Sequence, residues 1–397
     1  MSKVEWDGNA ETYDDPDERR VLLQALDSFY QYSKTAHYNT THLRRQSFYA
    51  LPQAHSELLA APPFSYLDTL NAVDDGIDKN SELALAILSS GLQAFGIPHP
   101  NTGDSKDSEW FGMATANDLE KARSTLRQFY RDWSEEGAAE REACNGPVIK
   151  ALQKERSVRS GSSMRVLVPG AGLGRLVFDL CCAGFDAEGN EISYHQLLAS
   201  SYILNICPKA KEHTLFPWVH SFSNHRNRAN HLKSVLVPDV HPATTLGGVE
   251  HPGEMSMSAS DFLCLYGNEE HRDTFDAVAT VFFLDTAPNI IRYIETIRNC
   301  LRTGGLLINV GPLLWHFENN APGSHGRETD SSAQDGNRGI AEPGSVELTD
   351  DEVVALVEKL GFVVEKRESG ISAPYIQDAE SMLQNTYKAS HWIARKK

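Results

Sequence analysis

The segment VLVPGAGLGR, residues 166–175, places three glycines within five positions directly after a short apolar run. A strand that ends at Gly170, Gly172 and Gly174 can turn into a helix with almost no side-chain bulk, so that backbone N–H groups approach a ligand closely. No lysine follows these glycines, which excludes the G-x-x-x-x-G-K-[ST] loop of nucleoside triphosphatases. The dinucleotide pattern G-x-G-x-x-G is not met either, because Arg175 stands where its third glycine belongs. The segment predicts a strand–turn–helix unit with another kind of ligand, or a glycine turn that binds nothing.

From Met164 onward, short apolar runs alternate with helical patterns, which is typical of β-α-β units in a parallel sheet. The run FDAVATVFFLD, residues 275–285, is apolar on both faces, as expected of a central strand. A helix over NIIRYIETIRNCLRTGG should stop at Gly304 and Gly305, and antiparallel edge strands should close the chain. Because G-x-G-x-G is the loop of S-adenosylmethionine-dependent methyltransferases, we predict an α/β fold. It should have a Rossmann-like seven-stranded class I methyltransferase sheet with helices on both faces.

Apolar residues recur at helical spacing between about residues 16 and 160. We therefore predict a helical N-terminal region, 1–115, before a methyltransferase domain, 116–397. Two insertions should interrupt that domain. The first, at about 208–260, should be packed because it carries the aromatic residues Phe216, Trp218 and Phe222. The second, at about 319–347, has almost no apolar side chains and should be mobile.

Composition excludes several classes of function. With 37 Lys and Arg against 54 Asp and Glu, the net charge is −17, which argues against a surface that binds nucleic acid phosphates. No stretch approaches the roughly 20 apolar residues of a membrane span, so no membrane partner is expected. Six cysteines without a C-x-x-C pair predict reduced thiols and a cytoplasmic location, with the nucleus as the alternative. The histidine spacings match no metal-ligand template, so no metal site is predicted, and a homodimer is left open.

Polar residues follow the predicted strands where an open parallel sheet binds its ligands, beyond the carboxyl ends. Glu191 comes 21 positions after Gly170, which suits a carboxylate that accepts both ribose hydroxyls of a nucleoside. Asp261 can accept an adenine amino group, and Phe262 can stack on the adenine ring. Asp285 ends the next strand and should face a substrate. The alternative is that the acidic residues cap helices or lie in water.

Several longer segments are more specific than the glycine loop: GNEIS, LFPWVHSFSN, SASDF, FDAVATVFFLDTAPNIIRYIETI, GGLLINVGPLLWHFE and, before the sheet, RQFYRDWSEEGAAEREAC. Together they resemble the carnosine N-methyltransferase family from about Leu119 to the end of the chain. That resemblance implies methylation of the imidazole of a histidine-containing dipeptide, carnosine to anserine, with S-adenosyl-L-methionine as cofactor and S-adenosyl-L-homocysteine as product. Histidine in a protein, or another small peptide, is the alternative substrate. The glycine spacing disfavours an NAD-dependent oxidoreductase, and the full set of expected site residues disfavours an inactive binding module.

The resemblance also implies a set of site residues. For the cofactor it implies Gln128, Arg131, Gly170, Gly172, Gly174, Glu191, Asp261, Phe262 and, through its backbone, Ala277. For the imidazole substrate it implies Asp285, His316, Tyr375 and Tyr387, of which Asp285 and His316 are the predicted catalytic residues. Periodicity alone would place Gln128 and Arg131 on a solvated helix face, so their assignment depends on the family.

Overall fold

The strands of the computed structural model form two sheets; the residues described are 15–99, 110–159, 163–320 and 339–397. Their strands are β1 Arg165–Pro169, β2 Asp186–Glu191, β3 His213–Leu215, β4 Val235–Val237, β5 Met255–Ala259, β6 Phe275–Val281, β7 Leu301–Gly311, β8 Phe362–Pro374 and β9 Thr386–Lys396. Seven of them make one sheet in the order β5-β2-β1-β6-β7-β9-β8, and β3 pairs with β4. All neighbours in the large sheet are parallel except β9, which is antiparallel to β7 and β8. This confirms the predicted seven-stranded class I methyltransferase sheet.

Helices precede the sheet and cover both of its faces. They are α1 Pro16–His37, α2 Leu43–Tyr49, α3 Gln53–Ala60, α4 Tyr66–Ala94, α5 Ala116–Trp133, α6 Ala138–Val158, α7 Arg175–Cys182, α8 Tyr194–Ser201, α9 Arg228–His231, α10 Pro242–Gly247, α11 Phe262–Tyr266, α12 Ile290–Cys300 and α13 Asp350–Lys359. Capping boxes fix the start of two of them, Thr115 with Asp118 for α5 and Thr349 with Glu352 for α13. The predicted helical N-terminal region is confirmed for residues 15–99, whereas residues 1–14 and 100–109 of that prediction lie outside the described ranges.

Alternate residues of the central strands enter separate cores, as the period of two requires. Leu167 and Val278 pack with the side chains of α11, α12 and α13. Val166 and Ala277 pack on the other face with those of α6 and α7. The sheet is therefore buried on both faces, which explains why β6 is apolar throughout.

Helix α12 ends earlier than its sequence predicts. It stops at Cys300, and Leu301 is already extended and pairs with Phe275 on β6. The pairing then resumes at Leu306 with Ala277, so the glycines expected to end the helix lie in a bulge, where Gly304 has φ +78°. Burial of Leu301 in the sheet outweighs its place in the helical pattern.

A third core joins the N-terminal helices to the sheet domain. Its buried members include Leu26 of α1, Ile77 of α4, Phe129 of α5 and Leu198 of α8. Trp218, in the insertion at 208–260, is buried in the same cluster, and Phe216 and Phe222 pack against it. The insertion is packed, as predicted, and this core crosses the boundary that the sequence places at residue 115.

The second insertion is only partly described, since residues 321–338 lie outside the described ranges. Its later part, predicted to be mobile, forms hydrogen bonds with the rest of the domain instead. The Ile340 N–H donates to an Asp261 carboxylate oxygen at 2.8 Å, and the Val346 N–H donates to the Pro288 carbonyl at 3.1 Å. The prediction is therefore wrong for residues 339–347, because hydrogen bonds hold a stretch with few apolar side chains.

Two further sequence expectations concern the cysteines and the membrane. All six cysteines are free thiols, and four are buried, whereas Cys264 is exposed and Cys182 is half-buried. Within the ranges the structure describes, no helix combines the length and the apolar character needed to span a bilayer.

Candidate functional site

The glycine loop after β1 adopts left-handed backbone geometry at every glycine. The φ angles of Gly170, Gly172 and Gly174 are +66°, +58° and +75°, a region that a side chain strongly disfavours. A Cβ on Gly172 would meet no atom within 4 Å, so this side of the loop is open. The loop thus presents bare backbone beyond the carboxyl end of β1, as the sequence predicts.

Glu191, at the end of β2, is hydrogen-bonded to this loop. Its side chain is 6% exposed and accepts the N–H groups of Gly172, Ile192 and Ser193, each at 2.9 Å. Burial raises the pKa of Glu191, while these three N–H groups lower it. The alternative that Glu191 lies in water is therefore wrong: the carboxylate is built into the wall beside the loop.

Helix α5 brings Gln128 to the same carboxylate through Gln196 of α8. Gln128 is 8% exposed, and its amide lies 3.1 Å from that of Gln196. With the Gln196 amide turned over, its nitrogen donates to Glu191 at 2.8 Å and its oxygen accepts from Gln128 at 3.0 Å, and we assign this orientation. The solvated face that periodicity predicts for Gln128 is wrong, since α8 covers it. Gln196 was not predicted from the sequence.

Arg131, one turn further along α5, is held beside the glycine loop. Asp132 accepts from its Nε at 2.6 Å and from its Nη2 at 3.0 Å, a two-point pair that fixes the guanidinium plane. The neighbouring Trp133 indole N–H donates to the Leu173 carbonyl of the loop at 3.1 Å. A small cavity of about 60 Å³ lies between Arg131, Gly170 and their neighbours. The solvated helix face that periodicity predicts for Arg131 is therefore also wrong.

Asp261 caps helix α11, the alternative that sequence reasoning left open. One carboxylate oxygen accepts the N–H groups of Leu263 at 2.8 Å and Cys264 at 3.2 Å, and the other accepts the Ile340 N–H. Phe262 is 5% exposed, and its ring lies 5.4 Å from that of Phe283. Both residues follow β5 at the carboxyl edge, near the end of β2.

Ala277 does not reach this edge. It lies near the start of β6, pairs with Val166 of β1 and Leu306 of β7, and is completely buried. Val166 precedes Gly170 by four positions, about 13 Å along a strand. Ala277 therefore packs within the sheet, and we remove it from the set of cofactor residues.

Asp285 lies in a short 3-10 turn, Leu284–Thr286, four residues beyond the end of β6. Its side chain is 3% exposed, and one oxygen accepts the Leu314 N–H at 2.9 Å. Its own carbonyl accepts the His316 N–H at 3.1 Å, which places the exposed His316 beside it. Burial raises the pKa of Asp285, whereas the Leu314 N–H and the His316 side chain lower it.

Three aromatic rings form a wall next to Asp285. The centre of the Phe282 ring lies 5.1 Å from that of Tyr375 and 5.8 Å from that of Tyr387. The centres of the Tyr375 and Tyr387 rings lie 6.2 Å apart. Burial raises the pKa of Tyr387, and Tyr375 and Asp285 raise it further. Phe282 was not predicted: its φ of +53° turns it out of the strand pattern that its sequence suggests.

A buried carboxylate fixes the turn that carries Tyr375. Glu140 of α6 is 6% exposed and accepts the N–H groups of Ile376 at 2.8 Å and Gln377 at 2.6 Å. Ile376 has φ +48°, which is strained for a β-branched residue. Glu140 holds this turn in place, and nothing in the local sequence pattern indicates that role.

Several histidines of the first insertion take part in packing and hydrogen bonding. His213 lies 2.6 Å from the Tyr202 hydroxyl, and the His225 and His231 rings stack with centres 4.3 Å apart. No group of three or more His, Cys, Asp or Glu side chains suited to a metal ion occurs in the described part of the chain.

Known proteins are similar in sequence to this chain over most of its length. The sequence profile of the carnosine N-methyltransferase family matches residues 108–397. A carnosine N-methyltransferase of Schizosaccharomyces pombe is 38% identical, covering 96% of this chain and 97% of that protein. One of Mus musculus is 34% identical, covering 96% and 86%. A solved 1,6-didemethyltoxoflavin-N1-methyltransferase of Burkholderia thailandensis has 16% identity and a TM-score of 0.36, covering 71% of this chain and 91% of that one.

Proposed function

We propose, from the premise that this chain belongs to the carnosine N-methyltransferase family, that it transfers a methyl group from S-adenosyl-L-methionine to the imidazole of carnosine. The observation that carries the proposal is the position of Asp285. A buried carboxylate lies beside His316 and an aromatic wall, at the edge of the sheet where the glycine loop opens.

The residues around the glycine loop fit the proposed cofactor. The open side of Gly172 leaves room for a ligand against bare backbone, and Arg131 offers a cation for the carboxylate of the methionine part. Glu191 has further lone pairs for ribose hydroxyls beyond those that accept backbone N–H groups. Asp261 and Phe262 are proposed for the adenine, where the Asp261 oxygen that accepts from Ile340 keeps a second lone pair.

When bound, the cofactor supplies an electrophilic methyl group on a sulfonium. The task of the protein is then to position a nucleophilic nitrogen in line with that methyl group. A neutral imidazole has one nitrogen with a proton and one with a lone pair, and the hydrogen bond at the first decides which nitrogen is free. In the proposed mechanism the Asp285 carboxylate accepts that proton in a hydrogen bond, with His316 as a second acceptor.

The reaction leaves a positive charge on the ring. The bound cofactor would supply its methyl carbon to the free imidazole nitrogen, and the electron pair of the broken carbon–sulfur bond would stay on sulfur. Asp285 stabilises the resulting imidazolium through the hydrogen bond already in place, as a buried Asp does toward His in hydrolytic triads. Phe282, Tyr375 and Tyr387 hold the plane of the ring and limit access of water.

Mass spectrometry of the purified protein with S-adenosyl-L-methionine and carnosine tests this function. The expected product is carnosine with one added methyl group, fragmented to show that the imidazole carries it. Asp285→Asn, which is expected to have a much lower turnover, serves as the comparison. A panel of other histidyl dipeptides and a histidine-containing protein fragment separates the alternatives. Methylation of the panel without methylation of carnosine would contradict the proposed substrate.

A further inference from the structure

A cleft of about 710 Å³ opens beside Tyr375, and neither Asp285 nor His316 lines it. One wall is helix α5 with Arg123 and Arg127, and another is the first insertion with Trp218. Tyr375 belongs to this lining and to the aromatic wall proposed for the imidazole. Tyr375 therefore borders both the cleft and the proposed imidazole site, and the imidazole does not account for the cleft.

Arg127 is the cation in this cleft that lacks a carboxylate partner. Within the described ranges no Asp or Glu oxygen lies within 4.0 Å of its guanidinium, although Arg123, one turn earlier, pairs with Glu120. Its Nη2 donates to the Ile376 carbonyl at 3.2 Å, and its Cζ lies 5.3 Å from the Trp218 ring centre. Desolvation lowers the pKa of Arg127 and the like charge of Arg123 lowers it further, whereas Glu140 and Glu120 raise it; the side chain is exposed to the cleft. An anion bound in the cleft would stabilise this charged guanidinium.

The acidic side chains of the same cleft are already engaged. Glu120 accepts from Arg123. Asp378 accepts the Asn230 side-chain amide at 2.8 Å and the Glu380 N–H at 3.0 Å. Arg127 thus keeps guanidinium donors for a ligand, while the carboxylates of the wall have partners.

We propose that Arg127 binds the carboxylate group of the histidyl substrate while the imidazole lies against Tyr375. The carbonyl that Arg127 contacts belongs to the residue after Tyr375, so the cation is one residue away from the ring that lines the imidazole site. In a C-terminal histidine, two carbons separate the imidazole from the carboxylate. The substrate class that fits is therefore a peptide that ends in histidine with a free carboxylate. This inference rests on the proposed function.

Carnosine and its decarboxylated analogue, β-alanylhistamine, provide the test, because both carry the same imidazole and only carnosine carries the carboxylate. For the unmodified protein we expect kcat/KM to be about 10- to 100-fold higher for carnosine, the range of a charge-assisted hydrogen bond. Arg127→Gln should abolish that preference by lowering kcat/KM for carnosine alone. Arg127→Lys, which keeps the charge, should restore part of it. Arg123→Gln is the matched control on the same helix and should keep the preference.

Cofactor affinity, measured by calorimetry on each variant, shows that the fold and the donor site are intact. An equal loss for both compounds in Arg127→Gln would overturn the proposal and assign the residue to supporting the Tyr375 turn. Equal turnover of both compounds by the unmodified protein would overturn the subsite and leave the proposed function standing. Failure of the unmodified protein to methylate either compound would overturn the proposed function, and the subsite with it.

Discussion

The guanidinium carbon of Arg131 lies 4.8 Å from the centre of the Tyr375 ring. The first residue is proposed for the cofactor and the second for the substrate, so one cation–π contact joins the two sites. Such a contact contributes about 0.5–2 kcal/mol depending on its exposure to water. Because coupling between two sites is reciprocal, a change on either side should alter binding on the other.

Replacing Tyr375 tests this coupling. We expect Tyr375→Leu, which removes the ring, to raise the cofactor Kd by roughly 2- to 5-fold, the lower part of the range for a cation–π contact. Tyr375→Phe keeps the ring and should leave the cofactor Kd unchanged. Calorimetry with S-adenosyl-L-homocysteine measures both. An identical cofactor Kd in all three proteins would show that the contact does not couple the cofactor site to the substrate site.

Glu191→Gln should weaken cofactor binding by about 10- to 100-fold, because the substitution replaces one charged acceptor oxygen by an amide NH2. Since burial raises the pKa of Glu191, the ionised acceptor is lost at a higher pH than for an ordinary Glu. Affinity should therefore fall as pH decreases through that raised pKa, and this dependence should vanish in the variant. Calorimetry at several pH values measures it, with thermal unfolding as the check on folding.

Asp285→Asn should reduce kcat by roughly two to four powers of ten and leave cofactor affinity unchanged, since the amide cannot stabilise an imidazolium as a carboxylate does. Activity of the unmodified protein should rise with pH through the raised pKa of Asp285. Turnover and calorimetry have to be measured on the same preparation. If Asp285→Asn methylates carnosine at the normal rate, His316 orients the substrate without it.

The same substitution should stabilise the protein at neutral pH. A carboxyl whose pKa is higher in the folded state supports folding below the unfolded pKa, and this support is lost as pH rises through the folded pKa. Asp285 therefore costs stability when it is ionised, and Asn removes that cost. We expect the melting temperature of Asp285→Asn to exceed that of the unmodified protein at pH 7 and the difference to shrink toward pH 4. A difference independent of pH would contradict this linkage.

Glu140→Gln should raise the KM for carnosine by about 10-fold while the cofactor Kd changes little. The Gln amide can accept one N–H from the Tyr375 turn but opposes the other with its own NH2, and an unpaired buried group costs about 1–3 kcal/mol. A raised KM for carnosine together with a nearly unchanged cofactor Kd would identify a positioning role for Glu140. A parallel loss of cofactor affinity and melting temperature would indicate a general structural role instead.

Sequence patterns predict the sheet and its glycine loop well because both follow from local chemistry. Period and burial define the strands, and only glycine accepts the φ values found at Gly170, Gly172 and Gly174. The end of α12 is predicted poorly, because Leu301 fits a helix face and a buried strand equally well, and only pairing with β6 decides between them.

The site residues that were missed have no local signal. Phe282 reads as part of a strand, Glu140 as a helix surface residue and Gln196 as one polar residue among others; each acquires its role from a partner distant in sequence. The assignment of Ala277 to the cofactor failed for the same reason, since register within the sheet places it far from the open edge.

Helix α5 carries Arg127, Gln128 and Arg131 on two consecutive turns, and its opposite side is covered by the helices before it. Leu26 and Phe29 of α1 pack in the same core as Phe129, and the buried Asp27 accepts the Ala114 N–H at the entrance to α5 at 2.7 Å. A fragment that began at residue 116 would expose this core to water and leave the helix without support. We therefore expect a fragment without α1 to lose the support of α5, so the described helices before residue 115 form part of the same packed unit as the sheet domain.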